Sequence, residues 1–244
     1  MAKIVIEQVM SDLFRAEIPL PRNPLKATNS YIIKSNSRNL IIDTGMNREE
    51  CKQAMSEVVR ELDIDLHKTD FFITHLHADH VGLVNELAAS DAAIYFNQLD
   101  ADVLNYKNLW QMACVMAARN GFPAGDVDRA VNAHPGQRYS PHQPVNFKMI
   151  TEEDTIVCGD FELQCIVTPG HTDGHTCLYE PNRKMFFSGD HILGDITPNI
   201  STLSDEGNPL ADYLSSLDKV YQMPIELVLP GHRRIVNDCR KRIT

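Results

Sequence analysis

His75-Leu76-His77-Ala78-Asp79-His80 gathers three histidines and one carboxylate within six residues. Before it, Phe71–Thr74 reads as a buried strand; after it, Val81–Ala89 reads as a helix. A spacing of two does not suit a shared helix face, which needs three or four. It does suit a strand end, where alternating side chains would point His75 and His77 the same way. Asp79 and His80 then reach a second point beside the first. Imidazole and carboxylate together suit Zn2+ or Fe2+; Ca2+ and Mg2+ prefer oxygen ligands. A lone histidine is more often a satisfied loop residue than a ligand, but a cluster this tight fits that reading poorly.

Further along the chain, the same local pattern recurs. Thr168-Pro169-Gly170-His171 ends a β-type run in a turn and presents a histidine. Ser188-Gly189-Asp190 ends another with an aspartate, and Pro230-Gly231-His232 a third with a histidine. Each alone is a weak signal. Four strand-end sites in one chain, gathered at one sheet edge, make a joint one.

The remaining segments frame these sites. Ile4–Val9, Leu13–Ile18, Ser30–Lys34, Leu40–Asp43 and Ala93–Phe96 read as strands. A helix follows the fourth, with Asn47 as N-cap and Cys51, Met55, Val58 and Leu62 at helical spacing. Residues 99–133 read as helices over Asp100–Tyr106, Leu109–Arg119 and Gly125–Ala133, and His134–Pro144 as a loop with three prolines. The Met and aromatic stripe of the middle helix (Trp110, Met112, Met116) is ordinary core, or a cap whose methionines adapt to an apolar ligand. The second half predicts strands at Thr155–Cys158, Glu162–Val167, Thr176–Glu180, Lys184–Ser188 and Glu226–Leu229. It also predicts a helix at Pro209–Tyr221 and an amphipathic end from Arg234. Two similar halves imply two sheets packed face to face, helices outside, within a single domain over 1–244.

These residues and motifs resemble the metallo-β-lactamase superfamily, in its glyoxalase-II-like and lactonase-like hydrolase branch. The resemblance runs from Asp43-Thr44-Gly45 to His232. It implies an α+β four-layer αββα sandwich, with 99–133 as a helical insertion. It further implies that His75, His77 and His171 hold one metal, that Asp79, His80 and His232 hold a second, that Asp190 bridges them, and that Asp43 orients ligands by hydrogen bonding. The cofactors are then two divalent ions, zinc by default, with iron or manganese as alternatives. Such a pair activates a bridging hydroxide, with Asp79 as the catalytic group that orients it or moves its proton.

The expected reaction is hydrolysis of an ester, thioester or lactone. A histidine at 77, where oxygen-reducing diiron relatives often place a carboxylate, argues against redox chemistry. About a dozen residues follow His232, too few for the helical domain that binds glutathione in glyoxalase II, so either that site is absent or the sequence is a piece of a longer protein. Specificity is therefore expected from 19–25 and 99–133, whose apolar residues favour an apolar acyl group. A phosphodiesterase on the same metals, or a non-catalytic metal-binding protein, is the alternative. His175 is expected near the site as a turn residue and His191 as a neighbouring hydrogen-bond donor. His67, His134 and His142 are expected at the surface.

Bulk properties narrow the partners. The 244 residues carry a formal charge of −10, which disfavours nucleic acid and acidic membranes. Arg233, Arg234, Arg240, Lys241 and Arg242 form one small basic cluster, read as a solvated helix face. There is no apolar run near the ~18 residues of a membrane span and no export signal at the start given. The six cysteines lack zinc-type spacing and read as reduced thiols of a cytoplasmic protein. The expected partner is a small-molecule substrate, and a homo-oligomer stays open.

Overall fold

The computed structural model describes residues 4–105, 109–200 and 207–244. The first sheet holds seven strands in chain order: β1 (Ile6–Met10), β2 (Leu13–Pro19), β3 (Ala27–Ile33), β4 (Asn39–Ile42), β5 (Thr69–Phe72), β6 (Ile94–Asn97) and β7 (Lys148–Ile150). The second holds β8 (Thr155–Cys158), β9 (Phe161–Val167), β10 (Thr176–Glu180), β11 (Met185–Gly189) and β12 (Leu227–Pro230), ordered β12-β11-β10-β9-β8. The helices are α1 (Glu49–Glu61), α2 (Ala78–Val81), α3 (Val84–Leu87), α4 (Gln98–Asn105), α5 (Leu109–Arg119), α6 (Ala124–Ala133), α7 (Pro135–Tyr139), α8 (Pro209–Tyr221) and α9 (Cys239–Ile243).

Strand parity builds the layers. Leu40, Ile42 and Phe72 face the second sheet and meet Leu163, Leu178 and Phe187 in one buried cluster. Their neighbours Ile41 and Phe71 face the other way and pack with Cys51, Met55 and Val58 of α1. On the second sheet Phe186 and Val228 turn outward to Val220 of α8 and Cys239 of α9. The result is the expected αββα order. Full burial of a Phe or Ile side chain contributes roughly 1.5–3 kcal/mol, so both faces of these strands are strongly held. The ring of Tyr31 crosses from the first sheet to meet Phe187 edge-on at 5.4 Å. Its hydroxyl donates to Pro230 O at 2.9 Å, two residues before His232.

Several local expectations need correction. Asn47 does not cap α1: Arg48 holds that position without a side-chain cap bond, and the Asn47 N–H instead donates to Tyr139 O. The single helix after the histidine cluster is two short ones, with Gly82 and Leu83 between them. A Cβ on Gly82 would lie 2.4 Å from Ala78 O and 2.5 Å from Tyr139 O, so the backbone of α7 is pressed directly against α2. The loop expected over His134–Pro144 contains α7, because Pro135 at its first turn is pre-set for helical φ and His134 Nδ1 accepts from Gly136 N. The three-residue β7 had no periodic signal. The basic cluster is only partly a solvated face: Arg234, Arg240 and Lys241 are exposed, whereas Arg242 donates to the carbonyls of Leu193, Gly194 and Ile196 and Arg233 to Pro24 O. Tyr106, the expected end of one helix, lies outside the described residues. All six cysteines are unpaired. Among the described residues no helix is long and apolar enough to cross a membrane.

Candidate metal centre

Strand direction brings the candidate residues together. β4 and β5 run parallel, so Asp43 and residues 75–80 leave the first sheet at the same edge. β9 and β11 both run antiparallel to β10, and β11 runs parallel to β12. His171, Asp190 and His232 therefore leave the second sheet at a common edge. Backbone bonds join the two edges: Thr176 N to Thr74 O at 2.9 Å and Asn29 N to Gly231 O at 2.7 Å.

The convergence of His75 and His77 is real, but strand alternation does not produce it. β5 ends at Phe72, and residues 73–77 bend before α2. The rings meet edge-on at 4.7 Å, with His75 Nε2 and His77 Nδ1 3.0 Å apart. Asp79 and His80 follow on α2, whose N-cap position is His77.

Among the described residues, three overlapping groups have ligand-type atoms within 4.8 Å of one another: His75, His77 and His171; His75, His80 and Asp190; Asp79, His80 and His232. Asp190 stands between the outer two. Its Oδ2 lies 3.6 Å from His171 Nε2, and its Oδ1 lies 3.6 Å from His80 Nε2 and 3.5 Å from His232 Nε2. Asp79 Oδ2 is 3.4 Å from His232 Nε2. The Nε2 atoms of His80, His171 and His232 and Asp190 Oδ1 are buried with no hydrogen-bond partner. Buried polar atoms are rarely left so. Four of them gathered around the Asp190 carboxylate, from imidazole and carboxylate, fit a divalent metal ion.

The opposite ring nitrogens are all engaged. His80 Nδ1 donates to Asp43 Oδ2 at 2.7 Å, His171 Nδ1 to Asn199 O at 2.7 Å and His232 Nδ1 to Ala27 O at 2.7 Å. His75 Nδ1 meets Thr74 Oγ1 at 3.0 Å, and the Thr74 amide donates to Asp43 Oδ1. For His80, His171 and His232 these contacts leave Nε2 free to ligate, whereas His75 Nε2 lies against His77 Nδ1.

Charge divides the centre into two halves. Burial, with crowding by His80, His77 and His171, drives the His75 pKa well below its ordinary value. Burial and His171 bring His77 down to about 3. Burial also disfavours charge on His80, but Asp43, Asp190 and Asp79 outweigh it and raise His80 to about 9. His232 is raised in the same way, chiefly by Asp190 against burial. Asp79 and Asp190 are held low: burial opposes their charge, and the cationic His80 and His232 more than compensate.

Two expectations change in detail. His175 is fully buried behind the centre, where its Nε2 accepts from Asp190 N at 3.2 Å and its Nδ1 meets Thr168 Oγ1 at 2.8 Å. It supports Asp190 through that bond. His191 is also buried; its ring packs edge-on against Tyr213 at 5.3 Å, and its carbonyl accepts from the Tyr213 hydroxyl. His67, His134 and His142 are exposed.

One residue escaped the sequence reading. Asp100 on α4 is fully buried and accepts from Leu76 N at 2.9 Å, Thr172 Oγ1 at 2.8 Å and Gly174 N at 2.8 Å. Burial raises its pKa to about 6 in spite of these donors. An acid in the first turn of a helix looks routine, and two of its partners are backbone amides without a sequence signature.

Comparison with known proteins agrees with the geometry. The sequence profile of the metallo-beta-lactamase superfamily matches residues 23–232. An atrochrysone carboxyl ACP thioesterase of Aspergillus fumigatus is 22% identical over 90% of this chain and 55% of its own length. Beta-lactamase-like protein 2 homolog of Drosophila melanogaster is 27% identical over 88% of this chain and 61% of its own. The chain thus spans little more than half the length of these two relatives. A metallo-beta-lactamase family protein from Thermus thermophilus superposes with a TM-score of 0.85 at 22% identity, covering 97% of this chain and 78% of that one.

Proposed function

This chain belongs to the metallo-β-lactamase superfamily, and on that premise we propose that it is a dinuclear-metal hydrolase acting on an ester, thioester or lactone. The observation that carries the reading is the set of four buried, partnerless ligand atoms on His80, His171, His232 and Asp190. In the proposed assignment His75, His77 and His171 would hold one ion and Asp79, His80 and His232 the other, with Asp190 available to both. Zinc is the expected metal, with iron or manganese as alternatives. When bound, such a pair supplies an activated water and a Lewis acid for the scissile carbonyl.

The chain's own residues do the rest. Asp79 is one of the less enclosed members of the set, with its side chain 13% exposed. A carboxylate at that edge is placed to orient the attacking water and to carry its proton to the leaving group. His75, His77 and His171 take no part in proton transfer, and their work is positional. Exposed Leu99, Met112, Val115 and Phe122 on the helical segment favour an apolar acyl group, and the name of the thioesterase relative favours a thioester among the three classes. The test is metal analysis of the purified protein paired with a panel of acyl thioesters, lactones and phosphodiesters. Two ions per chain with turnover of apolar thioesters or lactones is the expected result. Turnover of phosphodiesters alone would overturn it.

A further inference from the structure

Asp100 does not reach toward the metal centre, yet it touches both loops that supply the His75–His77–His171 group. Leu76, whose amide it accepts, lies between two of those histidines. Thr172, whose hydroxyl it accepts, directly follows the third. Gly174 N adds a bond to the other carboxylate oxygen. No room is left for slack, because a Cβ on Gly174 would fall 2.6 Å from Asp100 N and 2.8 Å from its Oδ1.

From this geometry we infer that Asp100 is the positioning residue for the first metal site alone, locking the 75–77 bend to the 171–174 turn so that three histidine nitrogens from two sheets converge. The proposal rests on the dinuclear reading above. The second group has an anchor of its own: Asp43 on His80, and Ala27 O on His232. Asp43 also steadies the first group through Thr74 and His75, whereas the bonds of Asp100 go to the two loops of the first group. Asp100 sits in the first turn of α4, where the helical segment begins. Retention of the first metal is therefore tied to the seating of that segment, whereas retention of the second is not.

Asp100→Asn keeps the shape but turns one acceptor oxygen into a donor facing other donors. Outer hydrogen-bond partners of metal ligands typically account for about 10- to 100-fold in metal affinity. Wild-type and variant proteins are loaded with zinc and titrated with a chelator, and zinc per chain is counted at each step. The wild type should release two ions. Asp100→Asn should lose one of them at about 10- to 100-fold less chelator, with the other unchanged. Adding His171→Ala to Asp100→Asn should abolish the weakened site and leave the other ion bound, whereas adding His232→Ala should instead remove the ion that Asp100→Asn left unchanged. Thr172→Val, which deletes one donor, should give an intermediate loss; it keeps the question answerable if Asp100→Asn does not fold. Wild-type affinity at both sites in both variants, or an equal fall at both sites, overturns the proposal. A wild type that binds fewer than two ions overturns the dinuclear reading beneath it instead.

Discussion

Asp43 grips His80 by the ring nitrogen that faces away from the centre, Nδ1 to Oδ2 at 2.7 Å. The same carboxylate takes the amide and hydroxyl of Thr74, so one buried group sets both the ring and the bend that precedes it. Asp43→Asn should weaken the second metal site by about 10- to 100-fold and the first to a smaller degree, through Thr74 and His75. Chelator titration with zinc counting reads this directly, and equal retention at both sites would remove Asp43 from the role.

Asp79 combines two duties, ligation and proton movement. Asp79→Ala should fold normally yet lose most turnover even with metal in excess. Removing one general acid–base group typically costs about 10²- to 10⁴-fold in rate. Circular dichroism checks the fold and kcat on the best thioester or lactone checks the chemistry; full activity in a metal-replete variant would sink the assignment.

Gly231 lies under the centre. A Cβ there would meet Asp190 Oδ1 at 2.7 Å and His80 Cε1 at 2.8 Å. Gly231→Ala should therefore displace two members of the proposed set, with an overpacking cost of about 1–3 kcal/mol. The expected readings are a lower melting temperature and zinc binding reduced at both sites. A variant with wild-type zinc affinity would mean that the strand end yields more easily than its packing implies.

Metal-free protein should show a stability maximum near neutrality. His75 and His77 stay uncharged when folded, so below about 6.5 the unfolded chain takes up protons that they refuse. Stability is therefore lost as pH falls from there toward the folded His77 value of about 3. His80 has the opposite sign: its folded pKa is raised, so its contribution is complete below about 6.5 and is lost as pH rises through about 9. Thermal melts in chelator across this range should fall on both sides, and His80→Gln should make the alkaline arm shallower, with the raised His232 carrying the remainder. An unchanged alkaline arm in that variant would refute the role given to His80.

Much of the centre was legible because its chemistry sits in side chains at strand ends. His171, Asp190 and His232 each follow an apolar run and a glycine turn, and Asp43 belongs to a recognisable triplet. The route by which His75 and His77 converge was misread, since a bend of bonded backbone imitates the result of strand alternation. Asp100 was illegible for a different reason: its partners at Leu76 and Gly174 are amides that every residue has, and only the fold brings them near. α7 hid behind prolines that suit a first helical turn as well as a loop, and β7 is too short to show a period.

Each proposed triad draws on both sheets: residues 75–80 come from the first, and His171 and His232 from the second. An ion seated in either would cross-link chain segments that lie far apart in sequence, as a disulfide does, and would shrink the entropy of any state in which the sheets separate. The same ligands that perform chemistry would then act as a reversible fastener between the two halves of the sandwich, and the amount of available metal would govern how long the folded chain survives heat or proteolysis.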